Sequence, residues 1–246
     1  MEIIGITKDT PNPQGGTVDK RPDGEPTGVL RDAGQLVTPF IPQETAELAL
    51  EGLKLTNEHA LSLGCTGIHD AGLDEFGVRA YQTALNEGIL KIRVNLMWRG
   101  DLAESIGAVG LQSGFGNQML RLGPAKILID GSLGARTASL YEPYEDDPST
   151  KGFTMMTEEE LNEQVRTIHN QGSQLAIQAI GDNGIDLVIN AIEAALRSSP
   201  RKDHRHRIEH CELLSTDQIE RIKRLGIVAS MPAQFRRGVE RTQQPV

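Results

Sequence analysis

The chain is poor in cysteine, in long apolar runs and in aromatic side chains, and each shortage excludes a class of protein. Its two cysteines, Cys65 and Cys211, lie too far apart in a chain of 246 residues to suggest a disulfide framework. No apolar run approaches the roughly 20 residues that cross a bilayer. The first residues also lack the basic and apolar regions of a signal peptide, so we expect a cytoplasmic protein that binds no membrane.

Charge and aromatic content argue against a further class. Asp and Glu number 34 against 25 Lys and Arg, which gives a formal net charge of −9, and aromatic residues make up 4%. Nucleic-acid binding favours the opposite pattern, with basic side chains interleaved with aromatic ones. A short basic cluster at residues 201–207 is the one feature that favours a nucleic-acid partner, and we expect none.

The chain divides into two stretches of different composition. Residues 1–42 carry Pro and Gly at short intervals, which predicts an irregular segment with little regular structure. Residues 43–246 instead show helical apolar spacing, with capping boxes that begin at Thr157 and Ser215. Four of the predicted helices end on a glycine that is followed by a β-rich run, namely Gly64, Gly88, Gly172 and Gly226.

Six strand-like runs alternate with the helical patterns. They cover residues 65–70, 89–97, 125–130, 175–180, 206–211 and 227–231. This alternation predicts an α/β fold with a parallel sheet and right-handed crossovers. The spacing fits either a doubly wound sheet or part of a (β/α)₈ barrel, and the lack of Gly-x-Gly-x-x-Gly after the first strand disfavours dinucleotide binding. In both architectures, functional residues follow the carboxyl ends of the strands.

Polar side chains within and after these strands are the first candidates for chemistry. Alternation places Lys126, Leu128 and Asp130 on one face of their strand. If that face points into a barrel, Lys126 is a buried amine, which is costly unless it is paired or modified. The same alternation groups two further sets, Ala176, Gln178 and Ile180, then His206, Ile208 and His210.

The remaining histidines carry a weaker signal. We expect His69 and His169 to be structural or solvated rather than catalytic. His204 and His206 lie in the basic run 201–207, which is typical of a solvated loop, with a local metal site as the alternative.

Longer strings of residues resemble a known family. Residues 64–72, 126–138, 176–182 and 206–210 are similar, in this order, to the successive core motifs of amidohydrolase family 3. This family belongs to the metal-dependent amidohydrolase superfamily and includes N-substituted formamide deformylases. The opening residues 5–16 and 23–30 resemble the family too, so the likeness covers nearly the whole chain.

The resemblance implies a (β/α)₈ barrel with a divalent metal, expected to be zinc, at its carboxyl face. Lys126 matches a strand lysine that is carboxylated and bridges metals, and His210 matches a metal-binding histidine. Asp130 and Asp182 become the candidate catalytic carboxylates. The loop 131–137 is expected to line the substrate pocket, with Ser132, Arg136 and Thr137 as its binding residues. The metal would activate a water that cleaves an amide-like, non-peptide C–N bond of a small molecule.

The chain also departs from the family pattern. Nothing in it matches the family's His-x-His motif on the first barrel strand or its aspartate on the eighth, and Gln178 stands where the family has a histidine ligand. An amide oxygen is a weak zinc ligand. We therefore expect a fragment of about six βα units that lacks the first and last barrel strands, with residues 1–42 and 43–246 forming one partial barrel. Its metal site would be incomplete, and its open edges would make a homo-oligomer possible.

A second hypothesis comes from a different class of function. The chain would be a catalytically inactive relic of an amidohydrolase that serves as an interaction or scaffold module. Gln178 favours this hypothesis, whereas Lys126, Asp130, Asp182 and His210 favour the enzyme.

Overall fold

A parallel six-stranded sheet forms the centre of the structure, a computed structural model that describes residues 2–42 and 45–232. The strands follow one another in chain order, β3-β4-β5-β6-β7-β8. Their bounds are β3 Gly67–Leu73, β4 Arg93–Arg99, β5 Leu120–Leu128, β6 Leu175–Ala179, β7 Arg207–His210 and β8 Val228–Ser230. All six predicted strands are therefore confirmed, and so is their parallel arrangement.

Helices connect these strands as the alternating pattern predicts. They are α1 Ala46–Ser62, α2 Glu75–Asn86, α3 Ala103–Ala108, α4 Glu158–Asn170, α5 Asp182–Ser198 and α6 Thr216–Leu225, with short 3₁₀ turns at Glu2–Ile4, Gly34–Leu36, Thr38–Phe40 and Gly100–Leu102. Both predicted capping boxes form, at Thr157 and Ser215. Gly226 ends α6 in the left-handed conformation, with φ +70°. No helix within the described ranges is both long and apolar enough to span a membrane.

The main core lies between the sheet and the helices that cover it. Ile127, Ile177 and Ile208 project from three neighbouring strands and are at most 3% exposed. They pack with Leu161 of α4 and Ile189 of α5, which are fully buried. Each such side chain contributes about 1.5–3 kcal/mol when it leaves water, so this layer fixes which face of each strand turns inward toward the helices.

The sheet is strongly curved, and one contact on its other face demonstrates the curvature. Arg207 Nη1 of β7 lies 3.4 Å from His69 Nδ1 of β3. Four strand spacings separate β3 from β7, a distance of roughly 19 Å along a flat sheet. Two side chains meet across that distance only if the sheet curls. The structure is therefore part of a (β/α) barrel, and we call the concave face, opposite the helices, the inner face.

The amino-terminal segment is more regular than its composition predicts. Two antiparallel strands, β1 Thr17–Lys20 and β2 Pro26–Arg31, form a hairpin there. The tip contains Asp23 and Gly24, and the Gly24 φ of +88° suits the turn. Arg31 pairs with Asp19 across the hairpin at 2.7 Å and donates to the Ala135 carbonyl at 2.8 Å. The expectation of an irregular segment is thus wrong for 17–31, because Pro-Asp-Gly here marks a hairpin turn.

The outer edges of β3 and β8 pair with no other strand of the described residues. Unpaired edges present free N–H and C=O groups that template association. We expect the 246-residue chain to self-associate in size-exclusion chromatography with light scattering. Val228, which is 45% exposed on β8, supplies the matched variant, since V228K places a charge at that edge and should shift the protein toward monomer. A monodisperse monomer in the unmodified chain would contradict this expectation.

Candidate active site

Lys126 occupies the inner face of β5, as alternation predicts. Ile127 and Ile129 lie in the helix-side core, whereas Leu128 is 43% exposed on the inner face. Within residues 2–42 and 45–232, the Lys126 ammonium forms no hydrogen bond or ion pair. Burial lowers the Lys126 pKa, the Glu209 carboxylate opposes this shift, and the Arg207 guanidinium adds to it. Lys126 is thus a half-buried amine that makes no direct hydrogen bond or ion pair with a described side chain, although the charges of Glu209 and Arg207 act on it.

The inner face of β7 differs from the alternation predicted for it. Ile208 pairs with Ile177 in the sheet register and is fully buried on the helix side. Arg207 and Glu209 therefore take the inner face, and the predicted grouping of His206, Ile208 and His210 on that face is wrong. Because side chains alternate strictly, an apolar Ile in the core fixes its two neighbours on the opposite face.

Four polar side chains of three strands meet on this inner face. Arg207 pairs with Glu209 at 2.6 Å, and the two side chains are 18% and 13% exposed. Arg207 Nη1 and Asn95 Nδ2 both approach His69 Nδ1, at 3.4 and 3.3 Å. Two donors at Nδ1 make it an acceptor, so the ring hydrogen sits on Nε2. The His69 pKa is lowered, mainly by partial burial and also by the Arg207 charge, and the Glu209 carboxylate opposes this shift.

The sequence patterns do not predict this cluster. They indicate a structural or solvated His69 and assign no role to Asn95, Arg207 or Glu209. The available signal was Ile208, because an apolar residue in the middle of a strand is a better reference for alternation than the histidines that flank it.

Asp130 lies just beyond β5 and is completely buried. Its carboxylate accepts hydrogen bonds from the backbone N–H groups of Ser139 at 3.0 Å, Ile180 at 3.0 Å and Gly181 at 2.9 Å. Burial raises the Asp130 pKa to about 6, although these N–H groups favour the charged form. A Cβ on Gly184 would approach Asp130 Oδ2 to 2.8 Å, so the first turn of α5 leaves space for this carboxylate. Asp130 ties the end of β5 to that of β6.

Gln178 and His210 follow at the ends of β6 and β7. Gln178 Nε2 donates to the Asp130 carbonyl at 3.0 Å, which leaves only the amide oxygen for a ligand. His210 has a left-handed φ of +78°, so the chain leaves the strand there and alternation no longer sets the direction of the ring. Its Nδ1 lies 3.3 Å from Glu212 Oε1, and the Glu212 charge raises the Asp130 pKa. Asp130, Gln178 and His210 therefore share one neighbourhood at the carboxyl end of the sheet, whereas Lys126 lies beside Arg207 and Glu209.

The predicted binding residues of the loop 131–137 differ in exposure. Ser132 is exposed, and its hydroxyl accepts from Ala135 N at 3.3 Å. Thr137 is 1% exposed, and its hydroxyl accepts from Ser132 N at 2.9 Å, which closes the loop. Arg136 has φ +58° and pairs with Asp146 at 2.8 Å. Ser132 is thus the predicted binding residue that the loop leaves most open to a ligand.

Asp182 starts α5 at the carboxyl end of β6. Its Oδ1 accepts from Tyr141 N at 3.0 Å and from Asn183 N at 2.9 Å. A carboxylate here complements the positive end of the helix and holds the segment around Tyr141 against it.

The described residues do not form a complete metal site. They contain no group of three or more His, Cys, Asp or Glu side chains arranged to hold an ion. A protonated Lys126 amine is no ligand, and zinc requires three or four protein ligands. The incompleteness of the metal site stays a prediction, and we derive no catalytic step through a metal.

His204 and His206 are buried, at 5% and 0% exposure, so the prediction of a solvated loop is wrong. Their rings bind backbone groups at the amino end of the sheet, far along the strands from the loops described above. His169, 3% exposed, lies with them, in agreement with its structural prediction.

Comparisons with known proteins agree with this architecture. The model of the amidohydrolase family matches residues 1–244. The chain is 34% identical over 242 residues to the putative amidohydrolase YtcJ of Bacillus subtilis, covering 96% of this chain and 44% of the relative. It is 27% identical over 238 residues to the N-substituted formamide deformylase of Arthrobacter pascens, covering 92% and 43%. The structure of an uncharacterized metal-dependent hydrolase from Pyrococcus horikoshii superposes with a TM-score of 0.71 at 33% identity, covering 81% and 39%. The chain thus spans less than half the length of each of these relatives.

Asp130 offers a direct test of how the strand ends are held. In D130N one carboxylate oxygen becomes an NH₂ group, so at least one of the three backbone N–H groups loses its acceptor. We expect the free energy of unfolding in urea to fall by about 1–3 kcal/mol. The matched control D203N alters an exposed carboxylate and should change it by less than about 0.5 kcal/mol. Equal stabilities of D130N and the parent would show that Asp130 does not tie the strands together.

Proposed function

The chain belongs to the amidohydrolase family and is similar to a metal-dependent hydrolase, and on this basis we propose that it hydrolyses amide-like, non-peptide C–N bonds of small molecules. The likeness to a formamide deformylase supports this bond class. Zinc is the proposed metal, and its remaining ligands would come from outside the described residues.

Lys126 is the observation that carries the proposal. Burial lowers the Lys126 pKa and so favours the neutral amine, which is the form that reacts with carbon dioxide. In the proposed carboxylation, the amine lone pair forms an N–C bond to carbon dioxide. One C=O π bond breaks with its electron pair moving to oxygen, and an N–H proton leaves to solvent. The product is an anionic oxygen donor on the inner face, beside the Arg207 guanidinium, whose charge acts on this position.

The other predicted residues act around that position. Asp130 and Gln178 hold the ends of β5 and β6 in register. Ser132 presents its exposed hydroxyl to the amide substrate, while Thr137 and Arg136 hold the loop in shape. His210, at the end of β7, is the proposed metal-binding histidine. Asp182 fixes the start of α5.

Zinc content tests how much of the metal site these residues provide. We expect well under one equivalent of zinc per chain by elemental analysis after dialysis, because Lys126 and His210 are too few ligands to hold the ion. Near-stoichiometric zinc that survives dialysis would contradict this and would mean that other side chains have been recruited.

Amide hydrolysis in the presence of added zinc and bicarbonate tests the proposed activity. We expect release of amine from N-substituted formamides, and a loss in K126A larger than the roughly 10- to 100-fold typical of groups that only support a metal ligand. The control K91A removes an exposed lysine and should retain the parent rate. A folded chain that cleaves no amide under these conditions would favour the scaffold hypothesis instead.

A further inference from the structure

Three buried histidines form a connected network at the amino end of β6 and β7. His169 comes from α4, whereas His204 and His206 precede β7. His169 Nδ1 and His206 Nε2 are 2.8 Å apart. His206 N donates to His204 Nδ1 at 2.9 Å, which joins the third ring to the network.

Backbone groups fix the direction of every hydrogen bond in this network. Leu175 N donates to His206 Nδ1 at 3.0 Å, so that nitrogen is an acceptor. The carbonyls of Ser199 and Leu225 accept from His169 Nε2 at 2.7 Å and from His204 Nε2 at 2.9 Å. These two nitrogens must therefore carry hydrogen.

One pattern of ring hydrogens satisfies every contact that the rings make with one another and with the backbone. In that pattern Arg201 Nη2, 3.4 Å from His206 Nε2, acts on the ring through its charge and not as a hydrogen-bond donor. Each ring is neutral with its hydrogen on Nε2, and His206 Nε2 donates to His169 Nδ1. An additional proton on any ring would sit on Nδ1. There it would face a donor, namely Leu175 N–H, His206 N–H or His206 Nε2–H. Protonation of any one ring therefore breaks a hydrogen bond and leaves two donors in contact.

The charges around His206 also oppose protonation. His169 faces the His206 ring from α4, and Arg201 and His204 face it from the connection that precedes β7. From β6 the network receives only the Leu175 amide, and from α6 only the Leu225 carbonyl, which binds His204. Arg201 Nη2 lies 3.4 Å from His206 Nε2. No carboxylate of the described residues forms an ion pair or hydrogen bond with these three rings. Burial, followed by the charges of His204, Arg201 and His169, lowers the His206 pKa to about 2, and burial also lowers that of His169.

The network joins elements that are distant in sequence. It connects α4, the residue after α5, the first residue of β6, the segment before β7 and the last residue of α6. We propose that His169, His204 and His206 form an acid-sensitive latch, which holds these elements together and opens when His169 or His206 takes up a proton.

The sign of the pH dependence follows from the neutral rings. A histidine whose pKa is lower in the folded than in the unfolded protein contributes its full stability above the unfolded value of about 6.5, and loses it as the pH falls. For His206, the unfolding equilibrium constant should rise about tenfold for each pH unit below about 6.5. Between pH 7 and pH 5 this amounts to about 25- to 30-fold.

Urea denaturation of the 246-residue chain at pH 7 and pH 5 tests the latch. In H206N the amide oxygen can still accept from Leu175 N–H, but the side chain no longer titrates. We expect the rise in the unfolding constant between pH 7 and pH 5 to be about 25- to 30-fold smaller in H206N than in the parent. The control H59Q removes an exposed histidine of α1 and should keep the parental pH dependence. Identical pH dependence in H206N and the parent would overturn the proposal.

Hydrogen exchange of the unmodified chain gives a second readout that needs no variant. The amides of Leu175 and His206, which donate to imidazole nitrogens, should exchange faster relative to the Val94 amide at pH 5 than at pH 7, after correction for intrinsic rates. Val94 lies in β4, outside the latch, and its amide donates to the Met119 carbonyl. An unchanged ratio between the two pH values would overturn the latch even if H206N fails to fold.

Discussion

Side-chain alternation along the parallel strands, fixed by the isoleucines that face the helices, is the constraint on which the rest of the structure depends. Ile127, Ile177 and Ile208 are in the core, so the residues beside them must face the concave side. That side then receives Lys126, Gln178 and the two charged residues of β7. The polar side chains within the strands take their direction from this apolar layer, which contributes about 1.5–3 kcal/mol for each large side chain.

Two separate polar systems follow from the same sheet. At the carboxyl end, Asp130 collects backbone N–H groups and holds the loops around Gln178 and His210. At the amino end, the ring of His206 accepts a hydrogen bond from the Leu175 amide of β6 and contacts His169 of α4. The first system contains the buried Asp130 carboxylate, whereas the second consists of imidazole rings and the backbone groups that they bind.

Features that depend on neighbouring residues could be predicted from the sequence, and those that depend on distant contacts could not. The capping box at Thr157 and the glycine that ends α6 are local, and both are confirmed. The inner-face position of Lys126 also follows from local alternation. The prediction of which residues of β7 face inward was wrong, because Ile208 pairs with Ile177 of β6 on the helix side and so sets the alternation. The burial of His206 depends on partners such as His169, 37 positions away in the chain, which no local pattern indicates.

The proposed carboxylation requires Lys126 to be a reactive amine on the inner face of the barrel. Carbon-13 NMR of the protein equilibrated with ¹³C-bicarbonate tests this requirement, because a carbamate gives a carbonyl resonance distinct from free bicarbonate. We expect one carbamate resonance in the parent chain and its loss in K126R, which keeps the charge and most of the length of the side chain. A parent spectrum without a carbamate resonance, or a resonance that persists in K126R, would show that Lys126 is not carboxylated.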